Sequence, residues 1–118
     1  MVKIESIAEA ALREDSLLAR SLTQDLLREK PDLSRYARPP IDDARLLALT
    51  AGLLELFAQR LHQHPPDWTR EIGPAPEPVW LVSAAQTMKH LRRLCETEAP
   101  EPLRKRRLYA PPNFLEMV

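Results

Sequence analysis

Apolar side chains recur every three or four residues over several stretches of this chain, and clusters of proline separate the stretches. The spacing is typical of amphipathic helices, and proline ends a helix because it has no N–H to donate. The first stretch predicts helices over 3–14 and 16–29. Between them, Glu14, Asp15 and Ser16 form a predicted break in which Asp15 or Ser16 caps the second helix, although one fused helix also fits the spacing.

The strongest helix pattern begins near Asp42, the predicted N-cap, and ends before Pro65. Its leucine-rich run from Leu46 to Leu61 is apolar around much of the helix circumference. Such a helix usually forms the buried centre of a bundle. Gly52 in the middle of this run costs a helix about 1 kcal/mol relative to Ala. Its position therefore predicts a close crossing with another helix.

The last third of the chain predicts shorter elements. A helix is expected over 83–98, and a further short helix over 102–108, where the first proline fits an N-terminal helical turn. A pair of prolines then predicts an extended tail over 113–118. The apolar segment 78–82 is either extended or the entrance to the next helix, and the pattern leaves both alternatives open.

These elements together predict an all-α fold, namely a small helical bundle of about five helices with proline-rich connectors and an extended C-terminal tail. At 118 residues the chain has the size of one domain, so we expect a single helical domain over 1–118 that includes a C-terminal basic helix and tail at 100–118. The chain has only two glycines, which argues against a hairpin-rich β fold because tight hairpin turns need residues with positive φ.

Charge and apolar content bear on where the protein acts. The formal net charge is zero, but residues 1–88 carry ten basic and thirteen acidic side chains, whereas residues 89–118 carry seven basic and four acidic ones. No stretch approaches the run of about 18 apolar residues that a membrane span needs. The N-terminal region has charges every few residues, unlike a signal peptide. We therefore expect a cytoplasmic protein without membrane contact.

Candidate catalytic and metal-binding groups are few. His62 and His64 are two residues apart, so they would not share a helix face as paired metal ligands do. The single cysteine, Cys95, lies on a predicted apolar stripe, which favours a buried structural thiol over a nucleophile. No nucleotide-binding glycine loop or hydrolase motif is present. The sequence predicts a non-enzymatic protein with no catalytic residue, metal or cofactor.

Two binding functions remain, and both concern the C-terminal segment. The cation run 104–107, with Tyr109 and Phe114 as stacking rings, would suit a phosphate backbone of RNA or DNA. The zero net charge favours instead a protein partner or internal charge pairing. The apolar tail either folds back onto its own bundle, which we favour, or lies in a groove of another subunit. The sequence leaves open whether the chain forms a homodimer.

The leading hypothesis is a protein-interaction module in which the basic segment and the aromatic tail contact a partner chain. The alternative is a nucleic-acid binder that uses the cation run. The predicted contact residues are Arg104, Lys105, Arg106, Arg107, Tyr109, Phe114 and Leu115.

The second half of the chain also carries two recognisable motifs. One is the PPDW element at 65–68, and the other is the run EPLRKRRLYAPPNFL at 101–115. Together they resemble a family of small uncharacterised bacterial helical proteins that share a P-P-x-W element and a terminal E-P-L-R-x-R-x-L-Y-A-P-x-N-F-L motif. Relatives of this kind are similar to the small partner encoded beside nucleotidyltransferase-type toxins. The resemblance implies an antitoxin-like or accessory role and supplies no functional residues.

Overall fold

Five α-helices form nearly all of the regular structure in the computed structural model, which describes residues 2–116. Three short 3-10 turns and two two-residue strands complete it. The predicted all-α class, with about five helices and proline-rich connectors, is confirmed. The elements are α1 (Ile4–Leu12), α2 (Ser16–Glu29), α3 (Ala44–Arg60), β1 (Val79–Trp80), α4 (Lys89–Glu98), α5 (Glu101–Arg104) and β2 (Leu108–Tyr109), with 3-10 turns at Leu33–Arg35, Asp67–Glu71 and Ser83–Gln86.

The predicted break between α1 and α2 is present, and the two helices are separate. Glu14 adopts a left-handed backbone with φ 57°, which turns the chain between them. The carboxylate of Asp15 accepts a hydrogen bond of 3.1 Å from the backbone N–H of Leu18 and so caps α2. Of the two caps that the sequence allowed, Asp15 is therefore the one used.

Helix α3 lies at the centre of the bundle, as its circumferential apolar pattern predicted. All residues from Ala48 to Ala58 are buried, and α1 packs along it. The predicted N-cap is wrong by one residue, because Asp43 rather than Asp42 caps the helix. The carboxylate of Asp43 accepts hydrogen bonds from the backbone N–H groups of Arg45 at 2.9 Å and Leu46 at 3.2 Å, which satisfies two otherwise free donors of the first turn.

Hydrogen bonds from aromatic side chains fix the proline-rich connector between α2 and α3. The hydroxyl of Tyr36 donates to the backbone carbonyl of Val2 at 3.0 Å. The indole N–H of Trp68, in the later connector, donates to the carbonyl of Tyr36 at 2.8 Å. Tyr36 is buried and Trp68 is half-buried against the core. Two connectors that are distant in sequence are thereby tied to each other and to the N-terminus.

The predicted helix over 83–98 is wrong in its first part. Ser83–Gln86 forms a 3-10 turn, Met88 is extended, and α4 begins only at Lys89. The backbone N–H of Ser83 is bound by the carboxylate of Glu14, which fixes the chain at the end of β1 before a helix can start. The capping-box spacing therefore marks a single turn and not the start of α4.

The predicted helix over 102–108 is also too long. Helix α5 ends at Arg104, and Arg107 takes a left-handed backbone with φ 63°, so the chain leaves the helix as a strand. Leu108 and Tyr109 pair in parallel with Val79 and Trp80. This pairing settles the open alternative for segment 78–82, which is extended at its centre. Sequence periodicity could not show it, because the two strands are far apart in the chain.

Gly52 allows α5 to approach the centre of α3 closely. A Cβ atom added to Gly52 would lie 2.8 Å from the Cδ2 atom of Leu103 and 3.3 Å from the carbonyl oxygen of Pro102. Real Cβ atoms do not approach other atoms at the first of these distances, so any larger residue requires the Leu103 side chain or α5 to shift. The predicted close helix crossing at Gly52 is confirmed.

We expect Gly52→Ala to lower the free energy of unfolding by about 1 kcal/mol, because an overpacking cost of about 1–3 kcal/mol exceeds the propensity gain of about 1 kcal/mol. Gly73→Ala is the matched control, since nothing lies within 4 Å of its added Cβ. Urea denaturation of both variants measures the difference. A Gly52→Ala protein as stable as the wild type would contradict the close crossing.

Candidate protein-interaction site

The cation run 104–107 does not form one free basic surface, because Arg106 is buried. Its side chain is only 2% exposed. The guanidinium donates from Nη1 to Oε1 of Glu55 at 2.8 Å and from Nη2 to Oε2 of the same carboxylate at 2.9 Å. Two parallel charge-assisted hydrogen bonds of this kind are stronger and more specific in geometry than a single bond. Arg106 is thus paired with the central helix.

The Glu55–Arg106 pair also holds neighbouring backbone groups. Nη1 of Arg106 donates to the carbonyl of Pro102 at 2.9 Å, and Nη2 donates to the carbonyl of Thr69 at 2.8 Å. The ammonium of Lys105 lies 2.9 Å from Oε1 of Glu55. Of the three nitrogens in the Arg106 guanidinium, Nε alone has no hydrogen-bond partner within residues 2–116. One guanidinium therefore joins α3, α5 and the 3-10 turn Asp67–Glu71.

Glu55 is the acidic centre of this network. Burial alone would raise the pKa of its carboxyl, but hydrogen bonds from Arg106 and Lys105 outweigh burial and lower the pKa below its ordinary value of 4.5. The carboxyl is accordingly ionised at neutral pH. Each buried charge thus faces an opposite one, which avoids the large cost of an unpaired charge in the interior.

The outer arginines of the run are exposed, yet each also binds its own chain. Nη1 of Arg104 donates to the carbonyl of Thr97 at 2.7 Å, at the end of α4. Nη1 of Arg107 donates to the carbonyl of Pro76 at 3.2 Å. With the bonds of Lys105 and Arg106 included, the cation run binds four parts of the chain. They are α3, the end of α4, the 3-10 turn Asp67–Glu71 and the connector at Pro76. The run therefore positions the segments around it.

Tyr109 belongs to an aromatic cluster on the side of the short sheet that faces α4. Its ring centroid lies 5.6 Å from that of Trp80, and the two planes are inclined at 40°. The guanidinium of Arg92 lies 4.5 Å from the centroid of the Trp80 ring, which is cation–π geometry. The ring of Tyr109 is half-buried in this packing. It thus does not stand free as a stacking platform.

The tail folds back onto the bundle through residue 116, as the favoured alternative predicted. Leu115 is 8% exposed and Phe114 is half-buried against the core. Nη1 of Arg60, near the end of α3, donates to the carbonyl of Phe114 at 2.7 Å. The last two residues of the predicted tail, 117 and 118, lie outside the described residues. The fold-back places Phe114 and Leu115 beside α2.

An open groove, which we call the α2 groove, lies between α2 and the folded-back tail. It consists of two cavities of about 340 Å³ each, and Leu115 lines both of them. Residues of α2 form one wall over its whole length. They are Ser16, Ala19, Arg20, Thr23 and Leu27. The opposite wall is formed by Leu81, Val82, Phe114, Leu115, Phe57 and Leu61.

Neither the α2 groove nor the exposure of Leu17 on α2 was predicted from the sequence. Leu17 is 81% exposed, although it belongs to the apolar series that predicted α2. At 100° per residue, the buried positions Ala19 and Leu26 lie on the opposite side of the helix from Leu17. Leu17 and Arg20, three residues apart, share one side. A helical-wheel comparison of the α2 leucines would have identified Leu17 as the one farthest from the core.

The predicted candidates for chemistry lie apart from the α2 groove. Cys95 is fully buried, and burial raises the pKa of its thiol, which confirms the predicted buried cysteine. In the part of the chain that the structure describes, no cluster of three or more His, Cys, Asp or Glu side chains could hold a metal ion.

Comparison with known proteins adds no relative. No protein-family model, no curated protein and no solved structure matches this chain. The resemblance carried by the C-terminal motif therefore stays a prediction. Across the described residues, no helix is both long and apolar enough to cross a membrane.

The lowered pKa of Glu55 predicts a specific acid sensitivity. A carboxyl whose pKa is lower in the folded than in the unfolded state stabilises the fold above its unfolded pKa, near 4.5, and this contribution is lost as pH falls through the folded pKa. We expect wild type to lose more unfolding free energy below pH 4.5 than Glu55→Gln does. Urea denaturation across this range measures the difference between the two slopes.

The exposed carboxyl of Glu77 provides the matched control for this experiment. Glu77→Gln should keep the acid sensitivity of the wild type. If Glu55→Gln lost stability in acid as steeply as the wild type, the carboxylate would not be ionised and paired in the folded protein.

Proposed function

We propose that this chain is a non-enzymatic protein-interaction module of the bacterial cytoplasm. In this proposal it acts as an antitoxin-like or accessory partner of a nucleotidyltransferase-type protein encoded in the same operon. The C-terminal motif at 101–115 supports the choice of partner. The observations that support the interaction itself are the open α2 groove and the exposed Leu17 on the same helix.

The α2 groove supports an interaction better than isolated surface leucines would. Single exposed apolar residues are common on soluble proteins and need no partner. Here Leu17 belongs to the helix that forms one wall of the α2 groove, between Ser16 and Arg20, which both line the cavity. Grooves of this type accept apolar segments of partner proteins. The surface at Leu17 is the part of the module that we assign to partner contact.

This proposal revises the part played by the predicted contact residues. Phe114 and Leu115 line the α2 groove, whereas the cation run 104–107 is bound to its own chain. Arg106 thus acts on the partner surface from a distance, by fixing α5 and β2 on α3. The alternative function, binding of a nucleic-acid phosphate backbone through 104–107, would require these internal bonds to be exchanged for phosphate contacts. It stays a prediction, and retention on heparin at low salt would test it.

We expect the purified chain to form a complex with the nucleotidyltransferase-type product of the neighbouring gene, measured by co-purification and calorimetry. Leu17→Glu should weaken this complex about tenfold or more, because it places a charge in an apolar contact. The thermal midpoint should not change, since Leu17 makes little contact with the core.

Met88→Glu is the matched control, because Met88 is 56% exposed and lies directly before a different helix, α4. It should leave the affinity unchanged. The antitoxin-like proposal would be wrong if no product of the operon bound the wild-type chain. Equal loss of binding in both variants would mean that Leu17 does not mark the contact surface.

A further inference from the structure

We infer that the α2 groove binds a short apolar segment of a partner protein that carries a carboxylate, and that Arg20 pairs with this carboxylate. The inference rests on the proposed interaction function and adds the chemistry of the bound segment. Three observations support it, namely the small polar surface of part of the α2 wall, the way in which the chain's own tail lines the groove, and the unpaired charge of Arg20.

One part of the α2 wall of the groove, formed by Ala19, Thr23 and Leu27, presents little polar surface. Ala19 and Thr23 are both buried at α2. The hydroxyl of Thr23 donates to the carbonyl of Ala19 at 2.7 Å, so its hydrogen bond is satisfied within the helix. With Leu27 these residues recur every four positions, so the wall extends about 12 Å along α2 at 1.5 Å per residue. That length accommodates about four residues of extended chain.

The chain's own tail shows which side chains fit. Leu115 lines both cavities, and Phe114 lines the one that also contains Arg20. Leu115 adopts a left-handed backbone with φ 52°, a conformation that leucine rarely takes. About 340 Å³ stays unfilled on each side of it. Aromatic and aliphatic side chains therefore suit the groove, and the tail leaves space for more of them.

The charges along the α2 groove favour a carboxylate at the end near Arg20. Arg20 is exposed, and its guanidinium forms no ion pair or hydrogen bond within residues 2–116. The neighbouring carboxylate of Glu14 already accepts the N–H of Ser83. At the other end of the groove, Arg60 donates to the carbonyl of Phe114 and has Glu116 near it. The negative charge of Glu14 lines the same cavity, but Arg20 is the charged side chain of the groove that has no interaction partner within residues 2–116.

The test uses the full isotope-labelled chain and two synthetic probes. One is an end-blocked peptide with a Phe-Leu pair flanked by glutamates, and the other carries glutamine in place of each glutamate. Amide spectra recorded during titration report the affinity and the residues contacted. We expect the acidic peptide to shift the signals of Ala19, Arg20, Val82 and Leu115, and to bind about five- to tenfold more tightly than the neutral one.

Arg20→Glu should remove the preference for the acidic peptide and preserve the weaker binding of the neutral one. Arg38→Glu is the matched control, because it makes the same charge change at an exposed residue that does not line the groove and that, like Arg20, forms no ion pair or hydrogen bond within residues 2–116. It should keep the preference. Both substitutions are at exposed sites, so both variants should fold with the wild-type thermal midpoint.

Three results would overturn the inference. These are signal changes that lie away from the α2 groove, an equal affinity for both peptides, and groove signals that shift with the concentration of the chain alone, which would make a second copy the occupant. The two proposals fail separately. If an operon partner bound Arg20→Glu and wild type equally, the inference would be wrong and the proposed interaction function would stand. If no operon product bound the chain, only the proposed antitoxin-like function would be wrong.

Discussion

The fold of the C-terminal third depends on the buried ion pair between Glu55 and Arg106. The carboxylate lies on the most buried helix, and two of the guanidinium nitrogens bind it while also holding the carbonyls of Pro102 and Thr69. Removal of one member of a buried pair commonly costs about 3–5 kcal/mol, because the other charge is left unpaired in the interior. The pair fixes α5 against Gly52, and the chain then leaves α5 in the direction that allows β2 to pair with β1.

The same constraint determines which surfaces are free for binding. The cation run binds its own chain, and this fixes the path of the C-terminal segment through Ala110 and into the tail. The tail then reaches α2 and forms one wall of the α2 groove. The proposed interaction surface therefore includes the segment that was predicted to contact a partner, but through its apolar residues Phe114 and Leu115 and not through its charges.

The sequence predicted what depends on local chemistry. The cap of α2, the central position of α3 and the close approach at Gly52 follow from residue types and spacing within a few positions, and the predicted cap of α3 was wrong by one residue. It did not predict the strand at Leu108 or the role of Arg106, because their partners lie far away in the chain and four adjacent cations look alike in sequence. One local signal existed: Glu55 is a carboxylate between leucines on an otherwise apolar helix, and such a group requires a buried cation.

A double-mutant cycle on Glu55 and Arg106 measures most directly how strongly the buried pair holds the C-terminal segment on α3. Urea denaturation at neutral pH would compare wild type, Glu55→Gln, Arg106→Gln and the double variant. The structure predicts that each single change strongly lowers the free energy of unfolding. The loss in the double variant should be smaller than the sum of the two single losses by about 2 kcal/mol or more. Additivity of the two effects within about 0.5 kcal/mol would contradict the claim that this pair holds the C-terminal segment on α3.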